Sequence, residues 1–105
     1  METTYVERAP DRAEVDAWTG PVLLDFGTNW CGWCRGAQPR IAQAMGAHPG
    51  VRHVKVEDGS GRPLGRSFGV KLWPTLVFLR DGQEVTRLVR PGDVEAISRA
   101  LEQIA

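Results

Sequence analysis

The segment Val22-Leu23-Leu24-Asp25-Phe26 constrains this chain more than any other stretch. It is apolar almost without interruption, whereas a strand with one wet face would alternate. Such a strand has to be covered on both faces, so the chain must lay helices on either side of a sheet. The 105 residues suit one modest core, in a single domain spanning residues 1–105.

The remaining elements fall around that strand. Asp11-Arg12-Ala13-Glu14 reads as a capping box opening a short helix, with Val15 and Trp18 inward and Gly20-Pro21 as its stop. After Phe26, a turn at Thr28-Asn29 leads into Cys31-Gly32-Trp33-Cys34 and helix-forming sequence through about Ala47. Pro39 lies inside that helix and should kink it. Val51 to Glu57 reads as a second strand, Asp58-Gly59-Ser60-Gly61 as a loop, and Pro63 to Phe68 as a short weak helix. Thr75 to Leu79 is β-rich, Asp81-Gly82 is a hairpin signal, and Glu84 to Val89 is the returning strand. From Asp93 onward, Val94, Ile97, Leu101 and Ile104 recur at helical spacing and should face the sheet. With the β-prone stretch Thr3 to Glu7 starting the sheet, the fold class is α/β: a mixed central sheet of about five strands, flanked by helices on both faces. The middle strands are expected to run parallel and the last two to form the hairpin.

The chemistry sits at the junction after the apolar strand. Cys31 would lie just before the helix, where free backbone donors and the helix dipole favour a thiolate. Cys34, one turn on, is close enough to attack a mixed disulfide formed at Cys31. Two buried inert thiols, or a metal site, would be the other readings of this spacing. Asp25 is a separate candidate. A carboxyl group inside such a strand is desolvated, which disfavours its charged form, and it could exchange a proton with Cys34. The other possibility is an aspartate at a strand end that reaches solvent.

Further residues stand in register with these. Trp30-Cys31-Gly32-Trp33-Cys34, Asp25-Phe26 upstream, Pro39, Phe68-Gly69-Val70 followed by Trp73-Pro74-Thr75, the Asp81-Gly82 turn and the amphipathic tail together resemble the thioredoxin family over almost the whole chain. The resemblance implies the thioredoxin fold and a protein-disulfide oxidoreductase working by dithiol exchange, with no cofactor beyond a redox-active Cys31–Cys34 disulfide. It implies Cys31 as attacking thiolate, Cys34 as resolving thiol and Asp25 as the buried aspartate. Pro74 would follow a cis bond, pack against the disulfide and block metal capture. The Trp73 backbone would pair with an extended substrate segment. Lys55 aligns with a family lysine near the carboxylate, although an exposed strand lysine fits it almost as well. Protein disulfides are the implied substrates, with a thioredoxin-reductase-like or other dithiol electron donor.

Trp30, Trp33 and Trp73 are expected to cluster around Cys31 and, with Gly32, Pro74 and Thr75, to form the substrate surface. Of these, Trp30 is expected in the core and Trp33 on the surface. Four positions depart from the family pattern: Trp33 in place of proline, Gly27 in place of a second tryptophan, Trp73 in place of an aliphatic residue, and Arg90 near a groove glycine unless a slip puts Gly92 there. Trp33 restores a backbone N–H that proline lacks. Near the Cys31 sulfur this would make the couple more oxidising than thioredoxin's.

Two rivals remain. Cys31, Cys34, His48 and His53 match the generic Cys2His2 spacing, but Pro49-Gly50 breaks the helix that both histidines would need, which leaves them as loop or surface groups. A non-catalytic binding module on the same fold is the other, against which stand both cysteines, Asp25 and Pro74. Thirteen basic and thirteen acidic residues cancel, so no broad field draws nucleic acid or an anionic membrane. Two cysteines are too few for a secreted disulfide framework, and the polar start Met1 to Tyr5 is unlike a secretory signal. A monomer in the cytoplasm is the expectation.

Overall fold

In the computed structural model, which describes residues 4–5 and 8–105, the apolar segment lies within the strand β1 (Pro21–Gly27). Both edges of β1 are hydrogen-bonded, to β2 (Arg52–Glu57) in parallel and to β3 (Thr75–Arg80) antiparallel. Beyond β3 lies β4 (Gln83–Val89), so the sheet order is β2-β1-β3-β4. The expected first strand over Thr3 to Glu7 falls largely on Thr3, Val6 and Glu7, which lie outside the described residues; four strands are described.

Alternate β1 side chains enter two separate cores, which is why the sequence does not alternate. Val22, Leu24 and Phe26 pack with Val77 and Leu79, under α1 (Arg12–Asp16) and α3 (Pro63–Ser67) through Val15 and Leu64. Leu23 packs with Leu76 and Phe78 on the other face. There α2 (Gly32–Gly46) and α4 (Val94–Ile104) cover the sheet through Ile41, Met45, Ile97, Leu101 and Ile104. Each such fully buried aliphatic side chain contributes about 1.5–3 kcal/mol. Helices therefore flank a mixed sheet on both faces.

One orientation differs from expectation. Of the middle strands, β2 runs parallel to β1 but β3 runs against it. Between β2 and β3 the chain forms only the five-residue α3, about 7 Å of rise, and enters β3 without returning along the sheet. β3 thus starts at the end where β2 finishes, with Thr75 opposite Phe26.

Local chemistry fixes the boundaries. The Asp11 carboxylate accepts from the Glu14 N–H at 2.8 Å and Asp93 accepts from the Ala96 N–H at 2.7 Å, satisfying donors at the starts of α1 and α4. Asp81 and Gly82 both take positive φ, 52° and 78°, the backbone that a two-residue hairpin with correct twist requires. No helix of the described residues is long and apolar enough to cross a membrane.

Candidate active site

β1 ends at Gly27, and α2 begins five residues later with Cys31 as its N-cap. In this extended conformation the Cys31 sulfur turns back over the first helical turn and accepts the Cys34 N–H at 3.2 Å. The first turn of the helix thereby offers one of its free donors to the Cys31 sulfur. Both cysteines are free thiols. Cys31 retains 7% exposure, whereas Cys34 retains 1% and lies beneath it. Burial, reinforced by a hydrogen bond with Cys31, pushes the Cys34 thiol from 9.0 up to about 12. Cys31 is thus the more accessible sulfur, and Cys34 the one whose burial favours the protonated thiol.

The donor at Cys31 is the Cys34 N–H and not that of Trp33, contrary to the sequence expectation. A proline at position 33 would leave this donor in place.

Asp25 is fully buried on the α2 side of β1. Its two oxygens have different partners. The Tyr5 hydroxyl donates to Oδ1 at 2.8 Å, and His53 Nε2 lies 3.0 Å from Oδ2. Lys55, the register partner of Asp25 on β2, is buried rather than exposed. Its ammonium donates to Gln38 Oε1 and sits 4.4 Å from the centre of the Tyr5 ring.

Tyr5 and His53 are the residues that sequence reasoning missed. His53 is no surface group: its side chain is 3% exposed. The available signal was parity on β2. Position 53 shares a face with Lys55, and parallel pairing with β1 brings that face to Asp25. The signal for Tyr5 was Gly27. A glycine where a bulky residue is expected leaves a hole, and Tyr5 fills it. A Cβ on Gly27 would sit 2.6 Å from both the Cys34 sulfur and the Tyr5 ring. Asn29 holds the Tyr5 backbone there, accepting from its N–H at 2.9 Å and donating to its carbonyl at 3.2 Å.

His48 follows α2 at the end away from the cysteines, separated by a helix of roughly 22 Å. With His53 engaged by Asp25, the Cys2His2 set is not assembled. Among the described residues, no three His, Cys, Asp or Glu side chains gather as a metal site would need.

The aromatic rim also differs from expectation. Trp30 is 70% exposed rather than in the core, and meets Trp73 edge-on at 5.7 Å between ring centres. A loop residue just before the N-cap of α2 points away from the sheet, so no core receives it. Trp73 packs against Tyr5, Cys31 and Cys34, and its indole N–H donates to Asp58 at 2.9 Å. Trp33, 61% exposed, stands apart from this pair under the Arg90 guanidinium, 4.6 Å from its ring centre. Gly32 is exposed and has open space where a Cβ would project.

The Trp73–Pro74 bond is cis and Pro74 is buried. Arg90, not Gly92, is the residue beside it: the Arg90 N–H donates to the Pro74 carbonyl at 2.9 Å. The Arg90 side chain then donates to the Trp73 carbonyl at 2.8 Å, occupying the group expected to pair with substrate. Thr75 is buried with its hydroxyl on the Leu72 carbonyl at 2.6 Å, so this side chain braces the loop and does not face the groove.

Two clefts flank this assembly. One of about 240 Å³ reaches Cys34 between Tyr5, Asn29 and Gln38. The other, of about 350 Å³, lies by the last turns of α2 and is lined by Ala42, Met45, Gly46, Pro49, Val51 and His53.

The same fold and likeness recur in known proteins. The solved structure of thioredoxin 2 from Pseudomonas aeruginosa PAO1, in its reduced form, matches with a TM-score of 0.89 and 56% identity, covering 99% of this chain and 96% of that one. Thioredoxin of Chlamydia muridarum (strain MoPn / Nigg) is 35% identical across 81% of this chain and 83% of its own length. Thioredoxin Asp f 28 of Aspergillus fumigatus is 29% identical across 83% and 81%. The family profile described as Thioredoxin matches residues 4–103, a span that takes in Tyr5, both cysteines and the four described strands. On that match the chain belongs to the thioredoxin family, and it is a thiol–disulfide oxidoreductase.

Proposed function

We propose that the protein reduces disulfide bonds in other proteins, with Cys31 as nucleophile and Cys34 as resolving thiol. The observation that carries this reading is the inequality of the two sulfurs. Cys31 is at the rim and accepts a backbone donor, while Cys34 is beneath it with its proton held by burial. Attack by Cys31 on a substrate disulfide forms a mixed disulfide and releases one substrate sulfur. Cys34 then attacks Cys31, closing the internal disulfide and releasing the second sulfur. Asp25 is the base for the Cys34 proton, and its burial beside Tyr5 and His53 supports that role. Lys55 supports the same carboxylate from the adjoining strand.

The substrate surface is formed by Trp30, Gly32, Trp33, Trp73 and Pro74, where exposed aromatic rings offer an apolar grip on an extended polypeptide. A thioredoxin-reductase-like enzyme or another dithiol donor regenerates the Cys31–Cys34 dithiol, and no cofactor is needed beyond this pair. The protein acts as a monomer in a single domain, in a reducing compartment such as the cytoplasm, without binding nucleic acid or a membrane. Charge balance and the scarcity of cysteine support this setting.

Reduction of insulin disulfides by dithiothreitol, followed as turbidity, tests the reading. The wild-type protein is expected to accelerate the reaction at catalytic concentration, and Cys31→Ser and Cys34→Ser to abolish the acceleration. Full activity in either variant would return the chain to a binding role.

A further inference from the structure

Asp25 has no exposed surface, so a proton that reaches it leaves by way of a group it touches. Tyr5 lies on the side of Cys34. The point a Gly27 Cβ would occupy is 2.6 Å from the Cys34 sulfur and 2.7 Å from the Tyr5 hydroxyl oxygen, so sulfur and hydroxyl flank one spot. That hydroxyl donates its own hydrogen to Asp25 Oδ1, leaving its lone pairs to accept another. Burial, then the charge of Asp25, raises the Tyr5 hydroxyl far above its ordinary range. Tyr5 therefore keeps its neutral form and does not hold the charge itself.

His53 lies on the opposite oxygen. With Nε2 against Asp25 Oδ2, its other nitrogen, Nδ1, is buried with no partner among the described residues. The same residue lines the 350 Å³ cleft at the far end of α2. An unpartnered ring nitrogen costs stability unless it serves something. The other elements against His53 bring apolar groups, Ala42 and Met45 from α2 and Val51 before β2. Lys55 and Asp25 are the ionisable neighbours on this face of the sheet, with Tyr5 and Cys34 beyond them.

We propose that Tyr5, Asp25 and His53 form a proton path from the Cys34 thiol to the cleft beside His53. The path rests on the reading of Cys34 as the resolving thiol. In the resolving step the Cys34 proton moves to the Tyr5 oxygen as the Tyr5 hydrogen moves to Asp25. The Cys34 sulfur bonds to Cys31, the bond between Cys31 and the substrate sulfur breaks, and that sulfur departs with the electron pair and is protonated by solvent. With the imidazole carrying its hydrogen on Nδ1 beforehand, Asp25 passes a proton from Oδ2 to His53 Nε2, and Nδ1 gives up its hydrogen to water admitted through the cleft. Tyr5 touches a reacting atom and is catalytic, whereas His53 acts through Asp25.

A single-turnover reaction of the reduced protein with an aromatic disulfide that releases coloured thiolate separates the steps. The first equivalent reports attack by Cys31, and the second reports resolution by Cys34. Tyr5→Phe and His53→Ala are expected to slow the second phase at least about tenfold, as loss of a proton-transfer group does, and to leave the first within twofold. Added imidazole, small enough for the cleft, is expected to restore the second phase of His53→Ala and to leave that of Tyr5→Phe unchanged. An unchanged second phase in Tyr5→Phe, equal slowing of both phases, or no imidazole rescue in folded His53→Ala would overturn the path. Tyr5→Phe decides alone if His53→Ala does not fold. Cys34→Ser must stop at one equivalent; release of two would instead overturn the assignment of the resolving thiol.

Discussion

Cys31 and Cys34 are the same chemical group in two environments, and three residues of separation produce the difference. At the N-cap the sulfur faces a backbone donor; one turn on, it is packed against Tyr5 and beneath the surface. The spacing was legible in the sequence because a helix repeats every 3.6 residues. The environment was not, because Tyr5 and His53 approach from segments far along the chain. Trp33 shows how such a reading can go astray. An N–H at position 33 is real, but the sulfur turns to the next one along. Trp33→Pro is therefore expected to move the reduction potential by less than about 30 mV, equivalent to about 1.4 kcal/mol. Equilibration of both proteins against glutathione measures it. A larger shift toward the thioredoxin value would return the controlling donor to Trp33.

At the scale of elements, Arg90 links the end of β4 to the loop before β3. It has a positive φ of 50°, which is uncommon for a residue with a Cβ, and its side chain spans from the Trp73 carbonyl to the Trp33 ring. A substrate strand that uses the Trp73 carbonyl has to displace this guanidinium. Arg90→Gly frees the carbonyl and suits the backbone, so KM for an extended peptide disulfide is expected to fall severalfold with kcat little changed. Steady-state kinetics decide it; a raised KM would make Arg90 a substrate contact instead. Helices and strands themselves were legible from periodicity and caps, as at Asp11, Asp93 and Asp81-Gly82. The direction of β3 was not, because no local pattern between β2 and β3 says whether the chain crosses back along the sheet. Nor was the exposure of Trp30, since a hydrophobic loop residue carries no periodicity to say which way it points.

For the whole molecule, one sheet separates two cores, and β1 serves both; that much follows from one nearly continuous apolar segment. Cys34 sits buried beside the end of β1 where α2 starts, so folding and proton affinity are linked. The folded dithiol form holds the Cys34 proton more tightly than the unfolded chain, its pKa being raised from 9.0 to about 12. This contribution to stability is complete below pH 9 and is lost as pH rises toward 12. The denaturation midpoint of the reduced protein is expected to fall from about pH 9 upward toward pH 12 more steeply than that of reduced Cys34→Ser, which keeps Cys31. Parallel slopes would show that Cys34 is not the group held. The central claim, that Cys31 attacks and Cys34 resolves, is tested most directly by trapping. Cys34→Ser and Cys31→Ser, each mixed with an oxidised protein substrate, are quenched in acid and resolved without reductant. The account predicts a mixed disulfide that accumulates through Cys31 in Cys34→Ser and is absent from Cys31→Ser; equal trapping by both variants would contradict it.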